Sequence, residues 1–184
     1  MKNYCYLSID NHQSISDKVY NHLINNYNVN EFGFWTDIDH TMLCEDVPEL
    51  QTALGNIGLS INVASIIKTS GVCPIHVDYP SDSDVAQPRI LWPVKNCEGS
   101  RTNFFHIERS WLKEKKLSNG IPYYHIDNKE PLVEIDSFEL NQPAIINPDQ
   151  AHNVSCNPVL KGDRISLTID VSPISIISKE LYGH

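Results

Sequence analysis

Three absences narrow what this chain can be. Its five cysteines, Cys5, Cys44, Cys73, Cys97 and Cys156, are odd in number, scattered and without a CxxC pair. Neither a disulfide framework nor a zinc knuckle is indicated, and reduced, mostly buried thiols are the simple expectation. No apolar run approaches the ~20 residues that span a bilayer, and the opening "MKNYCYLSID" has no sustained apolar core of the signal-peptide kind. The expected location is the cytoplasm, with no membrane partner. Basic residues are scarce as well: 14 Lys and Arg stand against 23 Asp and Glu, a formal net charge of −9. That balance disfavours broad nucleic-acid binding, which needs a phosphate-neutralising surface. There is no internal repeat, low-complexity tract or linker.

What is present suits one globular domain over 1–184. The length is enough to bury a core without disulfides or structural metal, and 41% hydrophobic with 20% charged residues is ordinary for such a chain. In 14–27, apolar groups at Ile15, Val19, Tyr20, Leu23, Ile24 and Tyr27 recur every three or four positions and predict a helix, with Ser14 or Ser16 as its cap. A second helix is predicted over 47–54, where Pro48 suits a first turn and Gly55 a stop. From Leu59 the pattern changes. "LSINVASII", "RILWPV", "TNFFHIE", "YYHI", "LVEIDSFEL", "PAIINP" and "RISLTIDV" are short and β-branched or aromatic, with turn formers between them. They predict a mainly antiparallel β body over 59–171, a jelly roll or double-stranded β-helix, with 1–58 as helical support. "KEKKLSNG" at 113–120 reads as a solvated excursion.

Histidine–acid pairs are the first chemical signal. Eight histidines and 23 acids in 184 residues give about one HxD/E by chance, yet three occur: His76/Asp78, His106/Glu108 and His125/Asp127. Residues two apart on a strand point to one face, so each pair could grip a metal ion or simply end a strand. Downstream, His152 follows an Asn-Pro turn, and Arg164 and Ser166 come twelve and fourteen positions later. On a strand these two share a face, offering a guanidinium fork and a hydroxyl suited to a carboxylate. A solvent-facing Arg at a strand start is the alternative. The separation from His76 to His152 leaves room for the four or more strands a two-sheet barrel inserts between neighbours, which favours His76 over His106 and His125.

The set His76-Val77-Asp78, His152 and Arg164-Ile165-Ser166 resembles the pattern of iron(II)/2-oxoglutarate-dependent oxygenases. The stretch "RILWPVKNCEGSRTNFF" at 89–105 is also similar to a run in small oxygenases of this family from marine bacteria and phages. The likeness covers roughly 59–171; residues 1–58 carry no motif of the family. It implies that His76, Asp78 and His152 bind Fe(II) as a facial triad with positions left for 2-oxoglutarate and dioxygen. It further implies that Arg164, helped by Ser166, holds the distal carboxylate of 2-oxoglutarate, with Arg89, Asn96 and Thr102 as additional polar contacts. Asp at position 78 implies hydroxylation or desaturation rather than halogenation, on a small molecule or a peptide residue. Asn96-Cys97-Glu98-Gly99 also reads as a plain turn, and Asp149 and Asp163 as turn residues. Trp35, Trp92 and Trp111 could line a pocket or pack in the core, and Cys97 and Cys156 could lie near the metal. Two competing readings carry no oxidation: a cupin-like metal- or ligand-binding module, and a metal-independent isomerase or structural jelly roll.

Overall fold

Two six-stranded antiparallel sheets face each other in the computed structural model, which describes residues 2–78, 87–116, 122–126 and 131–183. In chain order the elements are β1 (Tyr4–Tyr6), α1 (His12–Asn26), β2 (Trp35–Ile38), α2 (His40–Asp46), α3 (Pro48–Gly55), β3 (Ser60–Thr69), β4 (His76–Val77), β5 (Arg89–Lys95) and β6 (Arg101–His106). Then follow β7 (Leu112–Lys116), β8 (Pro122–Ile126), β9 (Val133–Glu139), β10 (Ala144–Ile146), β11 (His152–Ser155), β12 (Arg164–Ser172) and α4 (Ile174–Tyr182). The major sheet runs β1-β10-β5-β12-β3-β2 and the minor sheet β7-β8-β4-β11-β6-β9. This is the expected double-stranded β-helix. No helix of the described residues is long and apolar enough to cross a membrane.

Strand β12 shows how the alternation of side chains builds the layers. Its odd positions, Ile165, Leu167, Ile169 and Val171, join a buried cluster with Ile90, Trp92 and Ile66 from the flanking strands, and with Val19, Leu23, Leu50 and Ile177 from helices. One apolar face of the major sheet is therefore covered by helices. The even positions, Arg164, Ser166, Thr168 and Asp170, point to the other side, into the space between the sheets. At the closed part of that space Leu91, Phe104, Phe138, Leu140, Ala144 and Ile146 form a second core cluster.

Several boundaries differ from those expected. Helix α1 begins two residues earlier, after Asn11 in the left-handed region (φ 58°), and no side chain caps it. Ser16 is inside the helix instead, where its hydroxyl meets the Pro93 carbonyl at 2.5 Å and accepts from Trp92 Nε1 at 3.0 Å. Helix α3 starts at Pro48, one residue later than expected, and includes Gly55, the expected stop. Ahead of it lies α2, which sequence periodicity does not disclose in seven residues; Asp39 caps it by accepting from the Thr41 and Met42 amides. The segment 1–58 also supplies β1 and β2, the two edge strands of the major sheet. Residues 113–116 of the expected excursion belong to β7, which pairs with β8 as an edge strand, and their exposed charges suit such an edge. The rest of the excursion lies outside the described residues.

Candidate functional site

The minor sheet delivers the two histidines. His76 on β4 and His152 on β11 are register partners across an antiparallel pair, so their side chains leave the sheet on one face, with ring centroids 4.5 Å apart. Asp78 lies just past β4, and its amide donates to the Pro148 carbonyl. One ligand atom from each of His76, Asp78 and His152 falls within 4.8 Å of the others. His76 Nε2 is 3.4 Å from Asp78 Oδ1.

Backbone carbonyls set both imidazoles. His76 Nδ1 is 2.9 Å from the Pro74 oxygen and His152 Nδ1 is 2.8 Å from the Gln150 oxygen. A carbonyl only accepts, so each Nδ1 carries its hydrogen and the Nε2 lone pair is left for an ion, the arrangement found behind metal-bound histidines. The electrostatics of His152 and Asp78 agree. Burial and the neighbouring His76 push His152 down to about 4, which keeps it neutral near pH 7. Burial alone would raise Asp78, but the hydrogen bond to His76 and the charges of His152, His76 and Arg89 outweigh it and hold the carboxyl at about 2. Burial opposes charge on His76 too, yet Asp78 reverses that effect and shifts His76 upward. A carboxylate and two carbonyl-fixed imidazoles form a hard–borderline N2O donor set with one open side, suited to Fe(II) and similar divalent ions.

The major sheet closes the cavity from the other side. Arg164, Thr168, Thr102, Trp35, His76 and His152 are among its walls. Arg164 is only 1% exposed. Its Nε and Nη2, together with Ser166 Oγ, Thr102 Oγ1 and Thr69 Oγ1, are buried without a hydrogen-bond partner. Thr69 is the register partner of Arg164 on β3. An unpaired buried cation is costly, and so are unpartnered hydroxyls. A fork and three hydroxyls without partners fit an anionic, multiply accepting group such as the end of a dicarboxylate.

The expected residues are distributed as follows. His76, Asp78, His152, Arg164 and Thr102 come together around one cavity, and Ser166 stands on the same face of β12. Arg89 approaches Asp78, with Nη1 3.6 Å from Asp78 Oδ2. Asn96 is not brought there: at φ 53° it forms a turn whose side chain donates to the Lys161 and Asp163 carbonyls. His125 is the register partner of His76, with its Nδ1 2.9 Å from the Lys113 carbonyl, but it is not among the residues whose ligand atoms converge, and His106 is exposed at the end of β6. Asp127 lies outside the described residues. Trp35 lines the cavity, Trp92 is core, and Trp111 ends a short turn. Cys97 and Cys156 lie at the Arg164 end, donating to the Ile165 and Thr69 carbonyls, away from the triad.

Sequence reading passed over Thr168 and Asp170, although the alternation of Arg, Ser, Thr and Asp with Ile and Leu along β12 carries them. It also passed over Phe34 and Tyr123, whose rings lie edge-on to His76 at 6.0 and 6.3 Å. No sequence signal marks those two.

No protein-family model and no curated protein matches the sequence. Solved structures do resemble the fold. One is the epimerase SnoN in complex with Fe3+, alpha ketoglutarate and nogalamycin RO, at TM-score 0.56 and 10% identity over 92% of this chain and 78% of that one. Another is the non-heme alpha ketoglutarate dependent carbocyclase SnoK from nogalamycin biosynthesis, at TM-score 0.54 and 11% identity over 92% of this chain and 80% of that one. At such identities the likeness is one of fold: the chain has the double-stranded β-helix seen in these two alpha ketoglutarate enzymes.

Proposed function

We propose that this protein is an Fe(II)- and 2-oxoglutarate-dependent dioxygenase that hydroxylates, or desaturates, a small molecule or an amino-acid residue of a peptide. The observation that carries the proposal is the pairing, in one cavity, of a His-Asp-His group within 4.8 Å with a buried guanidinium whose Nε and Nη2 have no partner. A metal-only binding module accounts for the first feature and leaves the second without a purpose.

In this reading His76, Asp78 and His152 hold the ion through both Nε2 atoms and a carboxylate oxygen. Arg164 would receive the far carboxylate of 2-oxoglutarate, with the Ser166, Thr69 and Thr102 hydroxyls as further donors. The bound iron, 2-oxo acid and dioxygen supply the oxidising power against an unactivated carbon. The chain's own part is to fix the two imidazole tautomers through Pro74 and Gln150, to aim the diacid, and to keep water out with Leu91, Ile146 and Val154. Phe34, Trp35 and Tyr123 border the His76 side, where a substrate would approach. The stretch 89–105 favours the small marine bacterial and phage-type members, and residues 1–184 act as one domain, with 1–58 supporting the 59–171 core.

The test is a co-product assay. Fe(II)-loaded protein given 2-oxoglutarate and dioxygen should release succinate and carbon dioxide, faster with a true substrate in a panel of small molecules and peptides. A sample that binds Fe(II) tightly yet never forms succinate would favour the cupin-like binding module.

A further inference from the structure

Arg89, at the start of β5, reaches two carboxylates at once. Its Nε is 3.0 Å from Asp170 Oδ1, its Nη1 is 3.6 Å from Asp78 Oδ2, and its guanidinium carbon sits 5.1 Å from the centroid of the Trp35 ring. The residue is itself buried, whereas the Asp170 side chain is 45% exposed. The two oxygens of Asp78 consequently face different ways. Oδ1 looks toward His76 Nε2 at 3.4 Å, and Oδ2 looks toward Arg89.

We propose that Arg89 is a positioning residue that, anchored by Asp170 and Trp35, engages one oxygen of Asp78 so that a divalent cation receives the carboxylate through the other oxygen alone. The inference rests on the metal site proposed above. A carboxylate can bind an ion through one oxygen or two, and a second bond from Asp78 would fill a position that a bidentate cosubstrate and dioxygen require. The 3.6 Å separation is long for a hydrogen bond, so direction and charge, more than a tight bond, hold Oδ2. Arginine suits the task where lysine does not. Its planar fork serves Asp170 with Nε and Asp78 with Nη1 while its face lies on Trp35. Asp170 stands on the cavity face of β12, three alternations from Arg164, so a single strand carries both the diacid anchor and the anchor of this clamp.

Mn(II) is the probe. Calorimetry gives its affinity, and proton relaxation of the Mn(II)-loaded protein gives the number of exchangeable waters on the ion. Arg89→Gln should lower Mn(II) affinity about tenfold, the usual loss when an outer partner of a metal ligand is removed. It should also lower the relaxivity, because Asp78 Oδ2 then displaces a water. Asp170→Asn should move both readouts the same way, and the double variant should add nothing to Arg89→Gln if the two act as one unit. Wild-type affinity and relaxivity in Arg89→Gln, or fully additive effects, would overturn the clamp. If Arg89→Gln does not fold by circular dichroism, Asp170→Asn decides alone, and unchanged values there overturn it. Failure of the wild type to bind Mn(II) would instead sink the metal site.

Discussion

Replacing Arg164 by methionine should make the ligand-free protein more stable and the ligand response disappear. In the wild type, Nε and Nη2 are buried without partners, and each such group costs about 1–3 kcal/mol. Methionine keeps much of the aliphatic stem and removes the charge, so a net gain of about 2 kcal/mol is expected after allowance for the volume lost. For a chain of this length that is a rise in Tm of roughly 4–8 °C. The order should reverse with Mn(II) and 2-oxoglutarate under anaerobic conditions. At a hundred times Kd the ligand stabilises the wild type by about 2.7 kcal/mol, whereas the variant loses a charge-assisted partner worth about 2–5 kcal/mol and gains little. Differential scanning calorimetry of both proteins, with and without ligand, measures the crossover. If Arg164→Met melts below the wild type without ligand, the guanidinium is satisfied in the apo protein and the physical case for an anion site fails. Equal ligand-induced shifts in the two proteins would refute the assignment of Arg164 as the anchor.

Asp78→Ala and His76→Ala should each abolish succinate formation while circular dichroism stays unchanged; a fully active Asp78→Ala would remove the triad. His125→Gln should leave Mn(II) affinity by calorimetry within about twofold, since His125 is not part of the His76-Asp78-His152 group; a large loss would place a ligand on β8. In chelator-treated protein, His152 sits at about 4 when folded against about 6.5 unfolded, so the unfolded chain binds more protons in between. Its contribution to stability is present above 6.5 and is lost as pH falls toward 4, with His76, shifted upward, acting in the opposite sense. His152→Gln should therefore flatten the acid side of a Tm-versus-pH curve, and an unaltered slope would count against a neutral buried imidazole. Ser16→Ala should cost about 1–3 kcal/mol in urea unfolding, because the fully buried Trp92 indole then lacks its acceptor; no loss would show that water replaces the hydroxyl.

The barrel was legible because β-branched and aromatic runs alternate with turn formers from Leu59 onward, and the meeting of His76, Asp78 and His152 because strand parity and wide spacing leave few ways to bring two histidines together. Short elements were not. Strands β4 and β11 hold two and four residues, too few for periodicity to register, and they form only because neighbouring strands supply partners. Strands β1 and β2 were hidden for the same reason, since the hydrogen bonds that make them strands come from β10 and β3. Asn96 misled by its place between site residues: its left-handed backbone serves a turn. Arg164 was ambiguous in sequence because the same Arg-Ile-Ser could face solvent, and only the opposing sheet makes its burial visible. The link from Arg89 to Asp170 could not be read at all, since 81 positions separate two residues that meet through strand pairing.

The most direct measurement is an anaerobic crystal structure with Mn(II) and 2-oxoglutarate. The expected density is a single ion bound by His76 Nε2, His152 Nε2 and one oxygen of Asp78, with the diacid running from the ion to Arg164. An ion bound elsewhere, or a diacid whose far carboxylate does not reach the guanidinium, would contradict the account.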